Sequence, residues 1–207
     1  MDSSQLWNNR YSEETYAYGV APNAFFAEQL ENFPKGKILL PAEGQGRNAV
    51  YASKLGWEVY AFDHSEVGRE KALKLAEEES VSIIYDVMAF EHLSLTPDRY
   101  DMAALIYAHP PVELRSKLHQ GIVQALKPGG ILLLEAFHKD QLGNTSGGPK
   151  NLPMLFSEEE MANDFEGMEI ISLEKVEVEL EEGPYHQGTA KVIRLIARKP
   201  EEQREDA

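Results

Sequence analysis

Two glycines and a downstream acid, Gly44, Gly46 and Asp63, have the spacing of a site for a nucleotide-type ligand. The stretch that carries them, ILLPAEGQGRNAVYASKLGWEVYAFD (38–63), reads as a buried strand, a glycine turn, a helix, and a second strand that ends on the acid. Glycine lacks Cβ, so it reaches positive φ freely and lets the backbone pass close to a ligand. The helix that opens near Arg47 presents its unpaired amides to the same crevice. Asp63 lies 17 residues beyond Gly46, near the roughly 20-residue spacing at which a strand-end acid meets ribose hydroxyls. A carboxylate accepts from both hydroxyls at once.

The elements that must position these groups follow from hydrophobic periodicity. Phe26, Leu30 and Phe33 make the inward stripe of a helix after the turn at Gly19, Pro22 and Asn23. Ser65 caps a helix reaching about Glu79. Val81 to Tyr85 reads as a third strand ending at Asp86, and Tyr100 to Tyr107 as a fourth, with a polar-aromatic loop from Met88 to Asp98 between them. Pro110 and Pro111 open a helix with Leu114, Leu118 and Ile122 inward. LKPGG (126–130) ends that helix and leads into a fifth strand, Ile131 to Leu134, closing at Glu135.

Alternation of this kind gives a parallel sheet with helices on both faces. After the loop Asn144 to Asn151, Ser157 and Glu160 make a capping box. Met168 to Leu180 and Thr189 to Arg198 then form two long strands whose connection, Glu181 to Gly188, is too short for a parallel crossover. The expected architecture is a Rossmann-like, doubly wound α/β fold, a seven-stranded mixed sheet with the last strand antiparallel. One domain is expected over 1–200: a cap or arm with its helix (1–35), a ligand-binding core (36–136), and a terminal helix and hairpin (137–200). Residues 201–207 are expected to form a charged, frayed tail.

With 35 acids, 20 bases and a net charge of −15, the chain lacks the basic surface that nucleic acid or an anionic membrane requires. The absence of cysteine excludes disulfides, thiol nucleophiles and thiolate zinc sites, and the six histidines lack metal-ligand spacing. Neither a signal peptide nor a run of about 18 apolar residues is present, so a cytoplasmic protein is expected. The N-terminal segment to Tyr18 has little periodicity but gathers Trp7, Arg10, Tyr11 and Tyr18. It reads as an arm packed on the sheet and, compatibly, as a cap over the crevice that contributes a substrate pocket, since these side chains combine apolar bulk with polar tips.

The motifs WNNRY, YGVAPN, EGQGRNAVYASKLGWEVYAFD, LKPGGILLLEAF, GGPKN and YHQG together resemble the class I S-adenosylmethionine-dependent methyltransferases. Within them they resemble the small-molecule branch of tellurite-resistance-type and thiopurine-type enzymes. The resemblance covers nearly the whole chain. It implies S-adenosylmethionine as cofactor and a small-molecule acceptor, such as a thiol or other chalcogen nucleophile, with no nucleic acid, membrane or metal partner, in a monomer or homodimer.

It implies that Glu43, Gly44, Gln45, Gly46 and Asn48 wrap the methionine part and that Asp63, His64 and Ser65 take the ribose. Asp86 and Val87 would meet the adenine, and Tyr107 would line the sulfonium. Trp7, Arg10, Tyr11, Tyr18, Asn23 and Phe137 would bind the acceptor. The family's first motif usually has an acid at the position of Leu40 and a glycine at Ala42; Glu43 is the natural substitute for the acid. An oxygen or nitrogen acceptor would need a base, for which His109, His138, Tyr185 and His186 are candidates, whereas a soft anion would need none.

Two alternatives stay open on the residues alone. GQGRNA also satisfies G-x-G-x-x-[GA] through Gly44, Gly46 and Ala49, and Asp63 would serve the ribose of a nicotinamide cofactor in an NAD(P)-dependent oxidoreductase equally well. Leu40 and Ala42 also admit a methyltransferase-like binding module without turnover.

Overall fold

The computed structural model describes residues 3–201; Met1, Asp2 and residues 202–207 of the charged tail lie outside it. The apolar run after Lys37 forms β1 (Lys37–Pro41), and the alternation continues through α3 (Arg47–Lys54), β2 (Glu58–Asp63), α4 (Glu66–Glu78), β3 (Ile84–Val87), β4 (Tyr100–Ile106), α5 (Val112–Ala125) and β5 (Leu126–Phe137). A short α6 (Glu158–Asp164) precedes the hairpin of β6 (Glu169–Glu182) and β7 (His186–Arg198). Ahead of the sheet lie α1 (Ser3–Tyr11) and α2 (Ala24–Leu30). The strands run in the order β3-β2-β1-β4-β5-β7-β6, and β7 is antiparallel to both of its neighbours. This is the seven-stranded mixed α/β sheet that the alternation predicts.

Strand side chains alternate between faces, and β1 shows how that builds two cores. Leu39 faces α5 and α6, packing with Phe62, Leu105, Leu118, Ile122 and Met161. Ile38 and Leu40 face the other way, with Phe26, Ala49, Val59 and Ala72. All of these are buried, and each large aliphatic among them contributes about 1.5–3 kcal/mol relative to exposure. The helix starts follow their local signals. Ser65 Oγ accepts from Gly68 N at 3.0 Å, and Ser157 with Glu160 completes its capping box.

Several sequence expectations shift, among them the fifth strand, which begins at Leu126 rather than Ile131, so that LKPGG belongs to β5 and Glu135 lies inside it. Residues 3–11 form a helix where periodicity gave none, because its buried side chains meet a crevice rather than a core stripe. The third strand begins at Ile84 rather than Val81, and Asp86 lies inside it. Pairing of Tyr60 with Ile84 and of Asp63 with Val87 sets that register. The hairpin turn narrows to Gly183–Tyr185, since pairing persists to Glu182 opposite His186. Gly183 fits there against the backbone of Ala17 and Gly19, where a Cβ would come within 2.7 and 2.5 Å.

Candidate active site

The carboxyl ends of β1, β2, β4 and β5 converge on one crevice. On its β2 side the glycine turn follows β1, with Gly44 and Gly46 at φ 60° and 87°. Ala42, where the resembled family has glycine, holds φ 54°, a left-handed conformation that costs an L-residue roughly 1–2 kcal/mol. Asp63 ends β2 as expected and is 7 % exposed. Its Oδ2 accepts from Gly44 N at 3.1 Å and its Oδ1 from Ser65 N at 2.9 Å, so the acid clamps the loop to the strand. Burial raises its pKa, against the lowering influence of His64 and the backbone amides.

Glu43 is buried, and its Oε1 accepts from Ala49 N at 2.7 Å, so the carboxylate caps the first turn of α3. Burial raises its pKa to about 7, opposed by the amides of Ala49 and Asn48 and by Arg47. Gln45 bridges to the N-terminal segment through Oε1, which accepts from Ala17 N at 2.7 Å, while its buried Nε2 has no partner among the described residues. Asn48 Oδ1 accepts from Asn23 N. Asp86 pairs with Phe62 and so projects from the sheet face opposite Asp63, onto a cleft of about 200 Å³ shared with Tyr60 and Met88.

The N-terminal segment covers this side of the crevice. Tyr11 is 4 % exposed and packs so tightly on the glycine turn that a Cβ on Gly44 would stand 2.6 Å from its hydroxyl. Asn8 Oδ1 accepts from Ser65 Oγ at 2.6 Å, tying α1 to the start of α4.

The other side of the crevice holds a buried network of charge. Glu135, within β5, is 1 % exposed and accepts from Asn23 Nδ2 at 2.7 Å, Tyr107 Oη at 2.8 Å and Arg194 Nε at 2.7 Å. Glu182 takes Arg47 at 3.0 Å and His186 Nδ1 at 3.1 Å. Burial alone would raise Glu182, but the His186 hydrogen bond and the Arg47 guanidinium outweigh it and hold the carboxyl at about 2. Tyr107 follows β4 at φ 53°, a strained conformation at a strand end facing a crevice. Its ring stacks on Phe137 at 4.6 Å and meets His186 edge-on at 4.7 Å.

The four candidate bases separate clearly. His109 is committed on both nitrogens: Nδ1 donates to Met154 O at 2.7 Å, and Nε2 accepts from Phe137 N at 3.1 Å. Burial lowers its pKa to about 4. His138 is likewise spent, accepting from Asp140 N and facing Glu158 at 3.0 Å. Tyr185 donates to Glu13. Among the described residues, His186 alone of the three histidines keeps a ring nitrogen without a hydrogen-bond partner, Nε2, beside Gly147. Sequence reasoning missed Glu182, Arg47 and Arg194 because their partners lie 59 to 135 residues away.

Residues 39–134 match the family model of a methyltransferase domain. No curated protein sequence matches the chain. The structure reported as "Conversion of a Disulfide Bond into a Thioacetal Group during Echinomycin Biosynthesis" is similar with a TM-score of 0.76 at 14% identity, covering 98% of this chain and 95% of that one. TehB from Haemophilus influenzae is similar with a TM-score of 0.72 at 18% identity over 95% of this chain and 66% of its own. The 1,6-didemethyltoxoflavin-N1-methyltransferase of Burkholderia thailandensis, with bound S-adenosylhomocysteine, reaches 0.63 at 19% identity over 86% of this chain and 76% of its own. No helix among the described residues is long and apolar enough to cross a membrane. The chain has the α/β fold of these proteins, and its central segment matches a methyltransferase domain.

Proposed function

We propose that the protein transfers a methyl group from S-adenosylmethionine to a small-molecule acceptor. The observation that carries this reading is Asp63, a buried carboxylate at the end of β2 that holds the glycine turn at 3.1 Å and keeps lone pairs for ribose hydroxyls. The matched methyltransferase domain supports the same reading.

The residues fit such a cofactor. Gln45 Nε2 is a buried donor in want of an acceptor, which a cofactor carboxylate would supply. Bound there, S-adenosylmethionine supplies a methyl carbon activated by its sulfonium. What the chain contributes is alignment and the exclusion of water. Tyr107, Phe137 and His186 form the wall for this, and Tyr11 the lid. With His109 and His138 committed elsewhere, a thiol or other chalcogen anion that needs no base suits the site best, and His186 Nε2 is the group left to serve a protic acceptor.

Isothermal titration with S-adenosylmethionine, S-adenosylhomocysteine and NADH tests the proposal. Micromolar binding of the first two and none of NADH is expected. Binding of NADH alone would turn the reading to an oxidoreductase, and binding of none to an interaction module.

A further inference from the structure

Among the described residues three buried side-chain nitrogens have no hydrogen-bond partner: Gln45 Nε2, His119 Nε2 and Trp57 Nε1. Gln45 belongs to the crevice already described. His119 directs Nδ1 at Asp164 Oδ2 at 2.8 Å, and when Nδ1 carries the proton its Nε2 is a bare acceptor that needs no partner of its own. Trp57 is different, since an indole nitrogen can only donate. The residue is 4 % exposed, so its N–H is held out of water with nothing to accept it, a costly state for a buried donor.

Trp57 is one wall of a cavity of about 350 Å³ at the edge of the sheet opposite the crevice, where β4 and β5 begin and β7 ends. The LKPGG motif builds another wall. Tyr100 pairs with Leu126 and Met102 with Ile131, so residues 127–130 bulge out of β5 opposite Asp101 alone. Gly129 holds φ 78° in that bulge. Phe33, Pro34 and Pro128 complete an apolar lining with the buried Met102 and Ile131. The two cations of the lining already have partners: Lys127 Nζ lies 2.6 Å from Asp101 Oδ1, and Arg198 lies 3.5 Å from Glu169. Glu201 adds an acid.

We propose that this cavity is a second ligand site, for a small uncharged planar ring that offers a hydrogen-bond acceptor to Trp57. Its volume falls within the roughly 300–1,000 Å³ of small-molecule sites. A planar body suits walls that include the rings of Phe33 and Trp57, because aromatic rings favour offset or edge contacts with one another. An anion would meet Glu201 with both lining cations already paired, and a cation would bring a donor to a wall that already has one. The site shares no residue with the crevice, so it stands whether or not the chain transfers methyl groups.

The test is proton–nitrogen correlation NMR of the full chain at neutral pH, titrated with quinoline and with naphthalene, which share ring shape and differ in the ring nitrogen. The chain has two tryptophans, and Trp7→Phe assigns their indole N–H signals. Quinoline should move the Trp57 signal downfield and saturably, and should bind at least about fivefold tighter than naphthalene, as one hydrogen bond gives. Trp57→Phe keeps a ring in the wall but no donor, so the two probes, followed by their own signals, should bind it equally. Saturating S-adenosylhomocysteine should leave the affinity for quinoline within about twofold, as uncoupled sites do. No saturable shift at Trp57, a shift confined to Trp7, or equal affinities in wild type would each overturn the inference. So would a quinoline preference that survives in Trp57→Phe, or displacement of quinoline by S-adenosylhomocysteine. Should Trp57→Phe fail to fold, the wild-type comparison decides alone.

Discussion

Glu43 and Asp63 on the glycine-turn side of the crevice, and Glu135 and Glu182 on the hairpin side, are all withdrawn from water, but they are satisfied by different partners. The first pair accepts backbone amides at sequence separations of 2 to 19 residues. The second pair accepts side chains, two of them arginines, at separations of 28 to 159 residues apart from His186. Backbone amides are fixed in place once the turn forms, and they carry no net charge. Glu43, whose burial outweighs its amides and the more distant Arg47, therefore keeps a pKa raised by burial, whereas Glu182, hydrogen-bonded directly by Arg47 and His186, is depressed. One side is a local motif and the other a tertiary assembly that ties the N-terminal segment, α3, β5 and the hairpin together.

The largest expected effect breaks the tertiary side. Arg47→Met leaves the Glu182 carboxylate with only His186 and Asn23, and should cost about 3 kcal/mol by urea unfolding, as loss of one partner from a buried pair does. The double variant Arg47→Met with Glu182→Leu should recover most of that loss. A single-variant cost below about 1 kcal/mol would make the pair a surface pair in energy and erase the contrast.

The two sides should also answer pH in opposite directions. Glu43 has a folded pKa raised from 4.5 to about 7, so its contribution is complete below pH 4.5 and is lost as pH rises to about 7, a change of up to about 3 kcal/mol. Glu182 is depressed from 4.5 to about 2, so its contribution is complete above pH 4.5 and is lost as pH falls toward 2. Unfolding free energies measured across pH 2–8 should lose the neutral slope in Glu43→Gln and the acid slope in Glu182→Gln. Identical profiles for the two variants would contradict the assignment.

The same contrast explains what could be read without coordinates. The strand, glycine turn, helix and acid from Ile38 to Asp63 were legible because every contact among them is short-range, and the capping signals at Ser65 and Ser157 act within three residues. The sheet followed from strand and helix alternation. Residues 3–11 did not read as a helix, since Tyr11 meets Gly44 and Gly68 and Trp7 meets Tyr11, Tyr18 and Arg10 instead of a core stripe. The start of β3 was misplaced because pairing with β2, not the apolar run from Val81, decides it. Glu182 looked like turn material, and only its distant partner Arg47 explains an acid drawn into a strand end. Glu43 was legible as the acid nearest the glycines, but not which way it turns.

A smaller effect sharpens the local side. Asp63→Ala should weaken S-adenosylhomocysteine binding by at least about tenfold, or about 1.4 kcal/mol, since it removes the ribose acceptor and unclamps Gly44 together. Isothermal titration reads this directly. Unchanged affinity would take Asp63 out of the proposed site.

The smallest effect tests whether charge, rather than hydrogen bonding in general, distinguishes the hairpin side. Tyr107→Phe removes a neutral hydroxyl from Glu135 and leaves Asn23 and Arg194 in place, so it should cost about 1 kcal/mol in urea unfolding. The ring contacts with Phe137 and His186 survive in the variant, which isolates the hydroxyl. A cost matching that of Arg47→Met would assign the organisation of this side to Tyr107, whose φ of 53° would then be held by its hydroxyl. A cost near 1 kcal/mol would leave the arginines as the groups that hold Glu135 and Glu182 on the hairpin side of the crevice.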